Sequence, residues 1–206
     1  MARGEHCFVD LYYWRRRPTV IHDHHFQGAF QCLYGMNLDF SFKFKPTEKI
    51  GKFHALGDLV LKREKVLKAG DGVEIDYLDK FIHQNHHHGD LTVNLCFRTP
   101  EQKGKGLSNY LYSGLKYEKN PPLINKVERL IRSLHFGNVK LGPQDFNIDE
   151  KISFLIDTYG VSLQNKPLQK FRKEFHKSLM NEKGLNIDQL IKVHDKKIDE
   201  LEENYF

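Results

Sequence analysis

Between residues 7 and 98 apolar and polar positions change over in short runs, each ended by glycine, proline or a polar pair. Residues 7–14 (CFVDLYYW) are aromatic and branched, the composition of a strand, and Arg15 to Pro18 turn the chain. Residues 19–24 and 29–34 predict two more strands, the second stopped by Gly35. In residues 36–44 (MNLDFSFKF) every second position is apolar, the pattern of a strand with one face on the core and one in water. Residues 59–66 predict a strand because hairpin-type turns flank them at 57–58 and 69–72. Residues 73–77, 80–84 and 91–98 complete a series whose regular spacing is that of a sandwich or barrel. Residues 109–117, despite Gly114, read as one further strand.

The period changes at Asn120-Pro121-Pro122. Leu123, Ile124, Val127, Leu130, Ile131 and Leu134 recur at the spacing of an amphipathic helix, with Gly137 as its stop. Asn147 or Asp149 caps a second helix that runs to Gly160. Pro167 opens a third that ends at Gly184, and Asn186 or Asp188 opens a fourth. The expected fold is mostly β: a barrel over residues 1–118 and a helical region over 119–206. That region is expected to pack on the barrel or on a partner subunit, which leaves room for a homodimer.

Composition narrows the function classes. The chain has 206 residues, 39% of them hydrophobic and 29% charged, and no apolar run nears the roughly 20 residues of a membrane-spanning helix. No membrane partner is expected. The first residues lack an apolar stretch of the signal-peptide kind, and Cys7, Cys32 and Cys96 show neither disulfide nor zinc-site spacing, so a cytoplasmic location is expected. The net charge of +5 is mild and dispersed, with Arg15-Arg16-Arg17 the only tight cluster, which argues against nucleic acid as a partner. Histidine is the unevenly used residue: of the 12, all but His135, His176 and His194 fall within the first 90 positions. Imidazole is the commonest metal ligand, so the chemistry is expected in that half.

Within it stands Ile21-His22-Asp23-His24. Alternate side chains of a strand share a face, so His22 and His24 point together and Asp23 points away. Two imidazoles are half a metal site, and His83 is the expected third ligand. Three neutral histidines leave a metal's 2+ charge uncancelled and about three coordination positions open, which favours an anionic incoming ligand.

These residues resemble the cupin family. Its first motif, HxH, then a glutamate and a glycine, is matched in spacing by His22, His24, Gly28 and Gly35, with Gly28 in the glutamate's place. The second motif keeps its glycine-to-histidine spacing in Gly72 and His83, but its internal proline and glycine and its terminal asparagine are absent. Among cupins the segment is similar to the thiol dioxygenases, of which cysteine dioxygenase is the type. They too carry a tryptophan (here Trp14) before Ile-His-Asp-His, and they too lack the glutamate. Their late strand Ser-Leu-His-Leu-Tyr-Ser-Pro aligns with residues 94–100, which places Arg98 where that family has its active-site tyrosine.

The resemblance spans about residues 8–100. It implies an RmlC-like double-stranded β-helix and a mononuclear metal, Fe(II) with Zn(II) or Ni(II) as alternatives. It further implies dioxygenase chemistry with O2 on a small anionic substrate, thiols included. In that frame Arg98 is the expected anion anchor, its planar fork suited to a carboxylate. Tyr110 and Tyr112 are expected to face the pocket as further substrate contacts, with His87 and Cys96 as partners behind the ligands. Residues 86–88 otherwise read as an exposed turn, and His25 as a surface residue. A cupin that binds metal or ligand without turnover is the second function class. The third is an acyltransferase of GNAT type, because Lys103-Gly104-Lys105-Gly106 resembles that family's pyrophosphate loop, which a long helix follows.

Overall fold

The computed structural model describes residues 2–3, 7–15, 18–102, 106–119, 121–135, 141–161 and 165–205. Arg16, Arg17, residues 103–105, Asn120 and Gly137 therefore lie outside the described residues. The strands are β1 (Ala2–Arg3), β2 (Phe8–Trp14), β3 (Ile21–His22), β4 (Gly28–Lys49), β5 (His54–Lys68), β6 (Gly72–Ile75), β7 (Ile82–Arg98), β8 (Leu107–Tyr110) and β9 (Leu115–Lys119). Helices α1 (Pro121–His135), α2 (Ile148–Asp157), α3 (Lys166–Lys183) and α4 (Ile187–Tyr205) follow. The fold is mostly antiparallel β-sheet with helices at its C-terminal end. No helix among the described residues is long and apolar enough to cross a membrane.

Two compact units divide the chain: residues 1–45 with 58–110, and residues 46–57 with 111–205. In the first, β7 lies between β4 along one edge and β2 and β3 along the other. The predicted strands 29–34 and 36–44 are one strand, irregular in register between Cys32 and Met36 rather than broken at Gly35. Likewise β7 runs straight through residues 86–88. His86, His87 and His88 pair with Leu38, Asn37 and Met36, so their backbone groups belong to the ladder, and His86 and His87 are 1% and 2% exposed. The expected exposed turn is thus a buried strand. Phe30, Cys32, Leu67, Val73, Ile75, Phe81 and Cys96 form this unit's apolar core.

In the second unit residues 54–56 pair with 115–117. The predicted strand 109–117 is interrupted because Leu111 N–H donates to Leu115 O (2.8 Å) and Gly114 N–H to Leu111 O (2.9 Å), closing a turn. Gly114 has φ +88°, and a Cβ there would meet Gly57 O at 2.2 Å, so glycine is required. A strand, β8, follows residues 103–105 where the acyltransferase reading needs a helix. The helices obey their local signals. Asn147 accepts from Glu150 N–H in a capping box, Asn165 accepts from Leu168 N–H, and Gly184 ends α3 at φ +63°. Ile152, Phe154, Leu155, Leu168, Phe175 and Leu179 are fully buried between them. Asp149 accepts from Lys52 N–H (2.8 Å), Phe53 N–H (2.9 Å) and His54 Nδ1–H (2.6 Å), which explains why residues 46–57 group with the helices.

Candidate metal centre

The His-Asp-His segment is fixed from both sides of the strand. Asp23 turns away from its neighbours and accepts from Ser108 N–H (3.0 Å) and the Tyr110 hydroxyl (3.0 Å), while its own N–H donates to Ser108 O (3.1 Å). Thr19 clamps the approach: its N–H donates to Asn85 O (2.8 Å) and its hydroxyl accepts from Asn85 N–H (2.9 Å). Beyond the strand, His24 O accepts from Leu78 N–H (2.7 Å). Leu78 has φ +53°, a costly conformation for leucine, maintained where it holds the histidine's backbone.

So held, His22 sits directly opposite His83 in register. The ligand atoms of His22, His24 and His83 all lie within 4.8 Å of one another, and the His24 and His83 Nε2 atoms are 2.9 Å apart. Acceptors behind two of the rings fix which nitrogen faces the cluster. His22 Nδ1–H donates to Val20 O (2.8 Å), and His83 Nδ1–H donates to Asp39 Oδ1 (3.1 Å). A carbonyl or carboxylate oxygen can only accept, so each Nε2 keeps its lone pair for the centre. Asp39, fully buried, takes a second charge-assisted bond from Arg63 Nη2 (2.8 Å). Burial and the facing His83 push His22 down to about 4. Burial and then the flanking imidazoles drive His24 lower still. Both rings are therefore neutral ligands at pH 7. The cluster has the donor set and spacing to hold one metal ion.

A cavity of about 230 Å³ opens on the cluster. Beside the three histidines, Phe26, Phe30 and Ile75 form apolar wall and Tyr12, Trp14, Thr19, Asn85, His87, Asn94 and Cys96 the rest, and no Lys, Arg, Asp or Glu is among the described residues that line it. Burial pushes the Cys96 thiol up to about 11, so it remains a thiol. His87 stacks on Trp14 at 4.6 Å with the rings 7° from parallel. Gly28 lies between β6 and β7, where a Cβ would meet Phe97 O at 2.1 Å. That contact admits no side chain, and so no fourth ligand, at the position where cupins have glutamate.

No family model and no curated protein matches the sequence. Solved cupin structures resemble part of the chain. Hydroquinone 1,2-dioxygenase from Sphingomonas sp. TTNP3 with 4-hydroxybenzoate bound matches at 7% identity and TM-score 0.38, over 48% of this chain and 63% of that one. RmlC from Streptococcus suis in complex with dTDP-D-xylose matches at 8% and 0.37, over 52% of each chain. Rru_A2000 from Rhodospirillum rubrum, a cupin-2 domain, matches at 10% and 0.37, over 67% of this chain and 74% of that one. One chain from the crystal structures of the DMSP lyases RdDddP and RnDddQII matches at 14% and 0.34, over 49% of this chain and 42% of that one. The chain thus spans about half the length of several proteins it resembles.

The three expected substrate contacts, Arg98, Tyr110 and Tyr112, each have partners within the protein. Arg98 does not line the cavity: its Nε donates to Asp10 (2.8 Å), its Nη1 reaches Glu101 (3.4 Å), and its guanidinium lies over the Phe8 ring at 4.8 Å. Asp10 lies directly across the ladder from Cys96 and so on the same face of the sheet; the guanidinium also lies over the ring of Phe26, a cavity-wall residue, at 5.2 Å, with its fork turned to the two acids. Tyr110 spends its hydroxyl on Asp23, and burial followed by that carboxylate pushes its pKa far up. Tyr112 belongs to the second unit, where its N–H donates to His194 Nδ1 (3.1 Å) and its ring stacks on that imidazole. His25, expected at the surface, is 7% exposed. His87 and Cys96 do line the cavity.

The pattern reading missed Asn37 and Asp39. Their alternation with Leu38 and Phe40 was the pattern of a water-facing side, yet both are fully buried and serve His87 and His83. The available signal was their pairing with a histidine-rich strand, which the isolated segment does not reveal. Asp39→Asn removes the charge behind His83 while keeping its shape. Metal affinity is expected to fall about 10–100-fold, measured by competition with a chelator of known affinity. Unchanged affinity would mean that Asp39 does not tune the ligand.

Proposed function

We propose that the first unit binds one divalent metal, Fe(II), through His22, His24 and His83 and is a dioxygenase-type oxidoreductase resembling the thiol dioxygenases. Its substrates in this reading are O2 and a small anionic, thiol-containing or otherwise metal-binding molecule. The supporting observation is the convergence of three imidazoles, all within 4.8 Å, on an uncharged cavity. Bound there, iron supplies a Lewis acid and a redox couple.

The chain's own residues provide the setting. His22, His24 and His83 bring no negative charge, so an anion is attracted to the metal rather than repelled by a carboxylate ligand. Cys96, held as a thiol, does not compete for that place. Phe26, Phe30 and Ile75 restrict water. At about 230 Å³ the cavity lies below the roughly 300 Å³ at which ligand pockets usually begin, so the substrate is small.

The test is elemental analysis of the purified protein, followed by reconstitution with Fe(II), Zn(II) or Ni(II) and O2-uptake measurements against a panel of thiols and carboxylates. One equivalent of metal, with substrate-dependent O2 uptake for iron alone, is the expected result. Tight metal binding with no uptake for any metal would favour the non-catalytic binding reading. Failure of every metal to bind would overturn both.

A further inference from the structure

Beyond the histidine cluster, the cavity wall carries a second set of polar groups that the proposed chemistry does not use. Asn85 and His87 follow His83 on one face of β7, about 7 and 13 Å along the strand at the usual rise per residue. Both side chains are buried, at 6% and 2% exposure, and line the cavity. Each also has a polar atom without a hydrogen-bond partner among the described residues: Asn85 Oδ1 and His87 Nε2. A buried polar atom left unpaired is costly, and its usual explanation is a partner outside the protein.

The neighbours of His87 decide what that partner offers. His87 Nδ1–H donates to Asn37 Oδ1 (2.6 Å), and Asn37 Nδ2–H donates to Asn94 Oδ1 (2.8 Å). With Nδ1 carrying the proton, Nε2 is an acceptor, and so is Asn85 Oδ1. Stacking on Trp14 locks the ring plane. Two acceptors ask for a donor. No charged side chain among the described residues lines the cavity, and the nearby Arg98 is committed to Asp10 and Glu101, so a second charge on the ligand would be buried without a free counter-charge among them.

We infer that the cavity selects a singly charged ligand: an anionic end directed to the His22, His24 and His83 centre, and an uncharged hydrogen-bond donor, a hydroxyl or amide N–H, received by His87 and Asn85. This inference rests on the metal reading for the anionic end only. The donor subsite stands on β7 alone.

Trp14 is the sole tryptophan and is stacked on His87, so its fluorescence reports on this subsite without any catalytic turnover. The probes are butyrate, γ-hydroxybutyrate, γ-aminobutyrate and succinate, with hexanoate and its ω-hydroxy derivative as a longer pair. Each is titrated into wild-type and His87→Phe protein, metal-free and after loading with one equivalent of Zn(II), a metal without redox chemistry.

In the loaded protein at least one hydroxy acid is expected to bind about tenfold or more tightly than its parent acid, and succinate and γ-aminobutyrate more weakly than butyrate. His87→Phe, which keeps an aromatic ring against Trp14, is expected to erase the hydroxyl preference, so that hydroxy and parent acids bind that variant alike. Asn85→Leu is expected to do the same should His87→Phe fail to fold. Equal affinities for hydroxy and parent acids at both lengths in wild type, or binding of the doubly charged probes as tight as butyrate, would overturn the inference. Absence of Zn(II) binding would instead remove the metal reading, and the metal-free titration would then decide the donor subsite by itself.

Discussion

Replacing His83 by alanine will abolish stoichiometric metal binding while the fold persists. The three rings form a nearly equilateral triangle, the His83 centroid 4.8 Å from His22 and 4.9 Å from His24 and those two 4.6 Å apart, and His83 alone of the three is anchored on a buried carboxylate. Its loss leaves two ligands for an ion that needs at least three protein donors in a catalytic site, so the effect must exceed the 10–100-fold expected for Asp39→Asn. His22→Ala and His24→Ala are expected to behave alike. His135→Ala, in the second unit, is expected to retain one equivalent. Elemental analysis after dialysis against excess metal gives the content, and far-UV circular dichroism checks the fold. In the wild type, free metal at a hundredfold excess over its dissociation constant should add about 2.7 kcal/mol of stability, a gain absent from the His83 variant. Full metal content in His83→Ala protein would sink the assignment.

Acidification from pH 7 to pH 5 will strongly destabilise the metal-free protein. Burial lowers His86 to about 4, and burial with the neighbouring His86 and His83 lowers His87 to about 4; His22 is also near 4. In the unfolded chain each would titrate near its usual 6.5. Below that pH the unfolded state takes up protons that the folded state refuses, so the contribution is complete above 6.5 and lost as pH falls toward 4. At pH 5 each group costs roughly 2 kcal/mol, and the three together roughly 6. That approaches the 5–15 kcal/mol of a typical domain. His24 and His194, both lowered by burial, act in the same sense. Urea unfolding in chelator at the two pH values, followed by circular dichroism, measures the difference. Equal midpoints would show that these imidazoles are not held neutral by the fold. Bound metal is expected to shift the loss to lower pH, because protons must then compete with the ion.

The parts of this protein that its sequence determined are those governed by neighbours a few residues away. The capping chemistry of Asn147 and Asn165, the left-handed stop at Gly184 and the 3.6-residue period between them set the helices, and each signal acts within one or two turns. The two-residue period of a strand put His22 and His24 on one side of Asp23, and the register of β3 with β7 then set His83 opposite His22. What tertiary structure decided was everything that depends on which strand lies alongside which. Residues 86–88 carry turn-like polarity by themselves and became strand because β4 supplies their ladder bonds. Asn37 and Asp39 have the spacing of a solvent face and became the buried supports of His87 and His83 because their pleat faces the cavity side of β7. Arg98 turned its fork to Asp10, a partner 88 positions away in sequence. Alternation says which residues share a face; only the neighbouring strand says whether that face meets water, apolar core or a histidine, because its identity is set by long-range pairing that no local pattern encodes.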